Sequence, residues 1–157
     1  MTDRPAVLAA IRARLSVVWP TATDVTEEPH GVAPQRLPAF AIAAEQVEIE
    51  PRACGRPGAY LATDAVTVSA WLEGRDLEAR LRAAAKVLTD ALARPGPALA
   101  GRVWDAVPDG ADFEVDSGAK RVGRLDVRLL VSFEITPPAT PADVDPFGDG
   151  FASDAFE

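Results

Sequence analysis

The chain has one cysteine, one histidine, one tyrosine and one methionine in 157 residues. A single thiol, Cys54, excludes an intramolecular disulfide and suits a reducing cytoplasm. One Cys and one His cannot assemble the usual zinc ligand set, and the acids Asp143, Asp145, Asp149 and Asp154 lack the offsets of a calcium-binding EF-hand loop. No metal site is expected. No cofactor is expected either, since Gly55, Gly58 and Gly74 have neither the spacing nor the lysine of a phosphate-cradling loop. No apolar run reaches the roughly 18 residues that would suggest a membrane span. The opening Met1-Thr2-Asp3-Arg4-Pro5 lacks the basic-then-apolar order of a secretion signal. Bases are scarce, with 16 Lys and Arg against 24 Asp and Glu, for a net charge of −8. That balance opposes a surface that grips nucleic acid but not one that lines a passage for DNA.

Catalytic residue types are equally thin. His30 lies between Pro29 and Gly31 in a loop, where a lone histidine is ordinarily a solvent-exposed bystander. Cys54 has Arg52 and Arg56 nearby, which would lower its pKa slightly, but no base stands beside it in sequence. No catalytic set is expected.

What the chain does have is pattern. From Leu125 to Ile135 every odd position is apolar, while the even positions read Asp126, Arg128, Leu130, Ser132 and Glu134. Alternation this long predicts a strand with one buried and one wet face. Val66, Val68, Ala70 and Leu72 alternate in the same way. Phe40, Ile42 and Ala44 change phase against Val47 and Ile49, which predicts a bulge near Ala44–Gln46. Between these runs lies the turn-rich stretch 51–58, so the two strands form a long hairpin. Val7, Leu8, Ile11, Leu15 and Val18 recur at helical spacing from Pro5 to Trp19-Pro20. Leu77, Leu81, Ala84, Ala85, Leu88 and Leu92 form a second helical stripe, with Asp76 as its candidate cap and Arg94-Pro95-Gly96-Pro97 as its stop. Residues 21–36 read as a loop. Val103–Val107 reads as a short strand, Pro108-Asp109-Gly110 as a turn, and Phe113 and Val115 as the opening of a last hairpin.

The order predicts an α+β fold: a mainly antiparallel sheet with two helices packed on one face, plus an extended C-terminal tail. Residues 1–136 make one domain. Residues 137–157 hold four prolines, five acids and no base, a composition that predicts disorder in the free protein.

Three groups of residues are interaction candidates. Arg52, Arg56 and Tyr60, in and beside the long hairpin loop, are of the types enriched at interfaces. Lys120, Arg121 and Arg124 set a basic tip of the last hairpin, residues 118–124, against an acidic whole, where an acidic neighbour would fit. Phe147, Phe151 and Phe156 place half of the chain's six phenylalanines in the tail, as rings that would dock on a partner chain.

The architecture resembles that of the tail-terminator, or tail-completion, proteins of long-tailed phages and phage-like particles. Leu37-Pro38-Ala39-Phe40-Ala41-Ile42 resembles their Leu-Pro-led strand, Ala65–Leu72 followed by Gly74-Arg75-Asp76-Leu77 their strand-to-helix passage, and Leu125–Ile135 their closing strand. The likeness spans residues 4–136; the tail extends beyond it. It implies a non-enzymatic virion structural protein, made in the host cytoplasm and assembled into the particle's tail. Its partners would be itself, as a ring usually of six subunits, the tail-tube protein, and a head-tail connector or stopper. DNA would pass through the lumen without specific binding, and no membrane is involved. The same plan would serve a neighbouring neck, tube or baseplate protein. From a different class, a small cytosolic α+β ligand-binding or enzyme domain is the rival.

Overall fold

A computed structural model describes residues 4–30, 32–51, 59–93, 99, 103, 105–116 and 121–135. The elements run α1 (Arg4–Val18), β1 (Thr23–Asp24), a 3-10 turn (Pro34–Arg36), β2 (Ala39–Pro51), β3 (Tyr60–Glu73), α2 (Leu77–Leu92), β4 (Asp105–Asp116) and β5 (Val122–Ile135). The strands form one sheet in the order β1-β2-β3-β5-β4. Among the described residues all long neighbours are antiparallel, and only β1 runs parallel to its partner. Both helices pack their apolar stripes on one face of this sheet, so the fold is α+β.

Alternation decides which face is covered. Ala62, Val66, Val68, Ala70 and Leu72 of β3 and Leu125, Val127, Leu129, Val131 and Phe133 of β5 point to the helices and are buried. Val7, Ile11 and Leu15 of α1 meet them, as do Leu77, Leu81, Ala85, Leu88, Ala91 and Leu92 of α2. Burial of one of the Val, Ile, Leu or Phe side chains contributes about 1.5–3 kcal/mol, so this layer supplies most of the stabilisation. A second, smaller cluster lies on the other face. There Val25, Val32 and Leu37 pack on Ala39, Ala41 and Trp71. The segment after α1 thus crosses to cap one end of the otherwise open sheet face.

Several details depart from expectation. Residues 21–36 are not a plain loop: Thr23 and Asp24 pair with Ala39 and Phe40, and a 3-10 turn follows. Asp76 does not cap α2 with its side chain. It sits in the left-handed region at φ 52, and its backbone carbonyl accepts the first helical bond from Arg80 N–H at 3.0 Å. A short polar residue tolerates that conformation, so the position needs Asp for its backbone rather than its carboxylate. Ala84 is only half-buried, while Ala91 joins the core. The bulge in β2 falls between Gln46 and Glu48, just after the predicted place.

The largest correction is Pro108-Asp109-Gly110. The chain does not turn there; β4 runs through it as one strand with a bulge between Pro108 and Gly110. The reason is position. β4 is the outer strand, where a missing proline N–H can be spared, and Gly110 supplies the positive φ of 120° that the bulge needs.

Candidate interaction surfaces

The open sheet face is built from the odd residues of β3 and the even residues of β5, which the register sets side by side. Its middle sets Ala65 beside Leu130 and Thr67 beside Arg128, with polar pairs on either side. The Thr63 and Ser132 hydroxyls hydrogen-bond across the strands at 3.0 Å, and Ser69 Oγ donates to Asp126 Oδ1 at 2.5 Å. At one end Arg124 lies over the Trp71 ring, 5.6 Å from its centroid, and its Nε donates to Asp126 Oδ1 at 3.1 Å. Both margins are acidic. β2 contributes Glu45, Glu48 and Glu50; β4 carries Asp105, Asp109, Asp112, Glu114 and Asp116 with no base. Glu48 and Glu50 stand so close that a hydrogen bond the protonated Glu48 gives to Glu50, reinforced by charge repulsion, raises the Glu48 pKa.

A pocket of about 260 Å³ opens on this face beneath the crossing segment, lined among others by His30, Ser69, Trp71 and Arg124. A serine, a histidine and, through Ser69, an aspartate come near one another there. The hydroxyl of Ser69 is given to Asp126 directly, so histidine does not stand between them as a triad would require.

The helical layer has the opposite charge. α1 carries Arg4, Arg12 and Arg14 and no acid; α2 carries Arg80, Arg82 and Lys86 against Glu78 and Asp90. Two of the arginines tie α1 down. Arg12 Nε bonds Asp24 Oδ2 at 2.7 Å, joining the helix to β1. Burial alone would raise the Asp24 pKa. The hydroxyl and amide of Thr26, at 2.6 and 3.0 Å, together with Arg12 hold it below the usual carboxylate value instead. Arg4 grips Asp64 with Nε and Nη2, the latter at 2.9 Å, and reaches Gln46 Oε1 at 3.1 Å. Asp64 is 1 % exposed and shares the buried side of β3 with Ala62 and Val66. Its sequence signal was available, since an acid in phase with a buried apolar set demands a partner.

On the outside of this layer α1 and α2 leave a mostly apolar cleft of about 320 Å³ between Val18 and Trp19 on one side and Ala84 and Val87 on the other. Val17, Val87 and, on the sheet margins, Val47, Val107 and Phe113 are large apolar side chains at the surface.

The sequence-predicted contact residues fall in different places. Tyr60 opens β3 and pairs with Ile135, half-buried. Arg121 is exposed just before β5 and lines a shallow pocket with Asp76, Glu78 and Arg82 at the start of α2. Arg124 is not at the hairpin tip; it lies within β5 on the open face. Arg52, Arg56, Lys120, Phe147, Phe151 and Phe156, and the tail 137–157 with them, lie outside the described residues. Trp71, its ring under Arg124, and the Arg4–Asp64 pair are the features that reading the sequence missed.

No protein-family model matches the chain, and no curated protein matches it. Solved structures do match. One is a chain of the virion of a native gene transfer agent particle, with a TM-score of 0.53 and 18 % identity. The match covers 82 % of this chain and 92 % of that one. At such identity the likeness is one of fold.

Proposed function

We propose that this protein is a structural subunit of a phage-like particle, and within it the ring-forming tail terminator that caps the tail tube and joins it to the head-tail connector or stopper. The observation that carries the reading is the extent of the fold likeness, which covers 82 % of this chain and 92 % of a virion chain. Surface charge supports it. A closed ring of identical subunits needs two different, complementary patches on each copy. Here a basic helical layer and acidic sheet margins occur on different parts of one subunit's surface. Acidic margins turned to a lumen would repel DNA phosphates, so a genome would slide through without specific binding.

The test is direct imaging. Purified full-length protein should form rings, six-membered on the resemblance, in negative-stain micrographs. A reconstruction of the particle should place the chain between the tail tube and the connector. A location within the tube or baseplate would keep the virion role and refute the terminator role. A location in the capsid shell, or a protein monomeric at every concentration, would refute the proposal.

A further inference from the structure

The cleft between α1 and α2 has the chemistry of a docking site for the chain's own C-terminal segment. Apart from Arg80 its lining is apolar, chiefly Val18, Trp19, Leu72, Ala84, Val87 and Leu88. Its volume of about 320 Å³ lies at the small end of the range for ligand pockets, about 300–1,000 Å³, which suits a single aromatic side chain. Val87, which lines it, is 49 % exposed, so among the described residues nothing covers it. Arg80 lines the cleft, and the two helices that form it carry six bases against two acids, Glu78 and Asp90, in an otherwise acidic protein.

The segment 137–157 is the complement of such a surface. It brings Phe147, Phe151 and Phe156 among five acids with no base. The sheet margins, themselves acidic, would repel it. For Phe147, the ring nearest the domain, chain reach then favours a second copy over the same one. Ile135 pairs with Tyr60 at one end of the sheet, whereas Leu72, which lines the cleft, pairs with Gly123 at the other. The twelve strand steps between them span about 40 Å at about 3.3 Å per residue. Phe147 follows Ile135 by twelve residues, a reach of about 40 Å only if fully stretched along a straight line, whereas Phe151 and Phe156, four and nine residues farther on, have slack to spare. A neighbouring copy imposes no such stretch.

We propose that the acidic C-terminal segment of one copy seats a phenylalanine in the Trp19–Val87 cleft of the next, with its acids beside Arg80 and Lys86. This rests on the reading that copies associate. The burial is modest and partly electrostatic, so the contact weakens as salt rises.

The test places a photo-crosslinking phenylalanine at 147, 151 or 156 in the full-length protein, with self-association followed in parallel by sedimentation. The expected result is an intermolecular crosslink from at least one position to the peptides bearing Val18–Trp19 or Ala83–Leu88. Val87→Asp, which alters a half-exposed side chain and leaves the core alone, should reduce its yield at least tenfold. Ala13→Trp, on the exposed side of α1, should leave the yield unchanged. Association without that crosslink, an intramolecular crosslink only, or a crosslink indifferent to Val87→Asp would overturn the docking and leave the assembly reading intact. Absence of association would overturn both.

Discussion

Replacing Arg4 by alanine leaves the Asp64 carboxylate buried on the core face of β3 with neither of its guanidinium bonds. Removing one partner of a buried pair typically costs about 3–5 kcal/mol, because the remaining charge is stranded. The Arg4 side chain is 39 % exposed, so some water would reach the site once it is gone, and the low end, about 3 kcal/mol, is expected. In a chain of this size that corresponds to a fall in Tm of roughly 6–12 °C. Asp64→Ala should cost less, since the freed guanidinium can turn to solvent. The double change Arg4→Met with Asp64→Leu should recover most of the loss, because an apolar pair of similar bulk strands no charge. Thermal and urea melts followed by circular dichroism measure all four proteins. A Tm for Arg4→Ala within about 2 °C of the parent, where about 6 °C or more is expected, would refute the reasoning, as would a double variant no better than Arg4→Ala.

Three further outcomes follow from the structure. Asp24 has a folded pKa below its ordinary value, so the stability it contributes is complete above about pH 4 and lost as pH falls through the lower folded value; Asp24→Asn should flatten the acid limb of a stability-against-pH curve. A Cβ at Gly123 would stand 2.7 Å from Leu81 Cδ1 and 2.9 Å from Leu77 Cγ, atoms held in the core, so Gly123→Ala should destabilise by about 1–3 kcal/mol in urea melts. Deleting residues 53–58 should weaken self-association in sedimentation while leaving the melting curve of the monomer unchanged; normal rings after the deletion would make that loop a connector only.

The long strands and both helices were legible because their signals are local. Each odd residue from Leu125 to Phe133 is buried, and each stands two positions from the next, so the pattern needs no knowledge of what covers it. The same holds for the α2 stripe from Leu77 to Leu92. What was missed depends on neighbours distant in sequence. β1 is two residues long and exists only because Phe40 and Ala39 lie beside it. Pro-Asp-Gly carries a turn signal, and only the outer place of β4 in the sheet turns it into a bulge. The Arg124–Trp71 stack needs a register linking positions more than fifty apart, and it moved Arg124 from a presumed hairpin tip to the open sheet face.

The two sheet edges constrain how copies of this chain can meet. One edge is β4, with five acids and no base; the other, beyond the short cover of β1, is the outer half of β2 with Glu45, Glu48 and Glu50. Each edge also carries a bulge, and β4 carries Pro108. Charges, bulges and proline are the devices by which proteins blunt an open edge against strand-to-strand association. Joining β4 of one copy to β2 of the next would set like charges opposite one another along the seam, each such pair opposing the contact. Extension of the sheet from copy to copy is therefore the disfavoured geometry. Contacts that pair the acidic margins or the acidic C-terminal segment with the arginines of α1 and α2 match opposite charges instead. Where the C-terminal segment supplies that contact, the helical layer of each copy is the receiving surface and the acidic margins stay out of it.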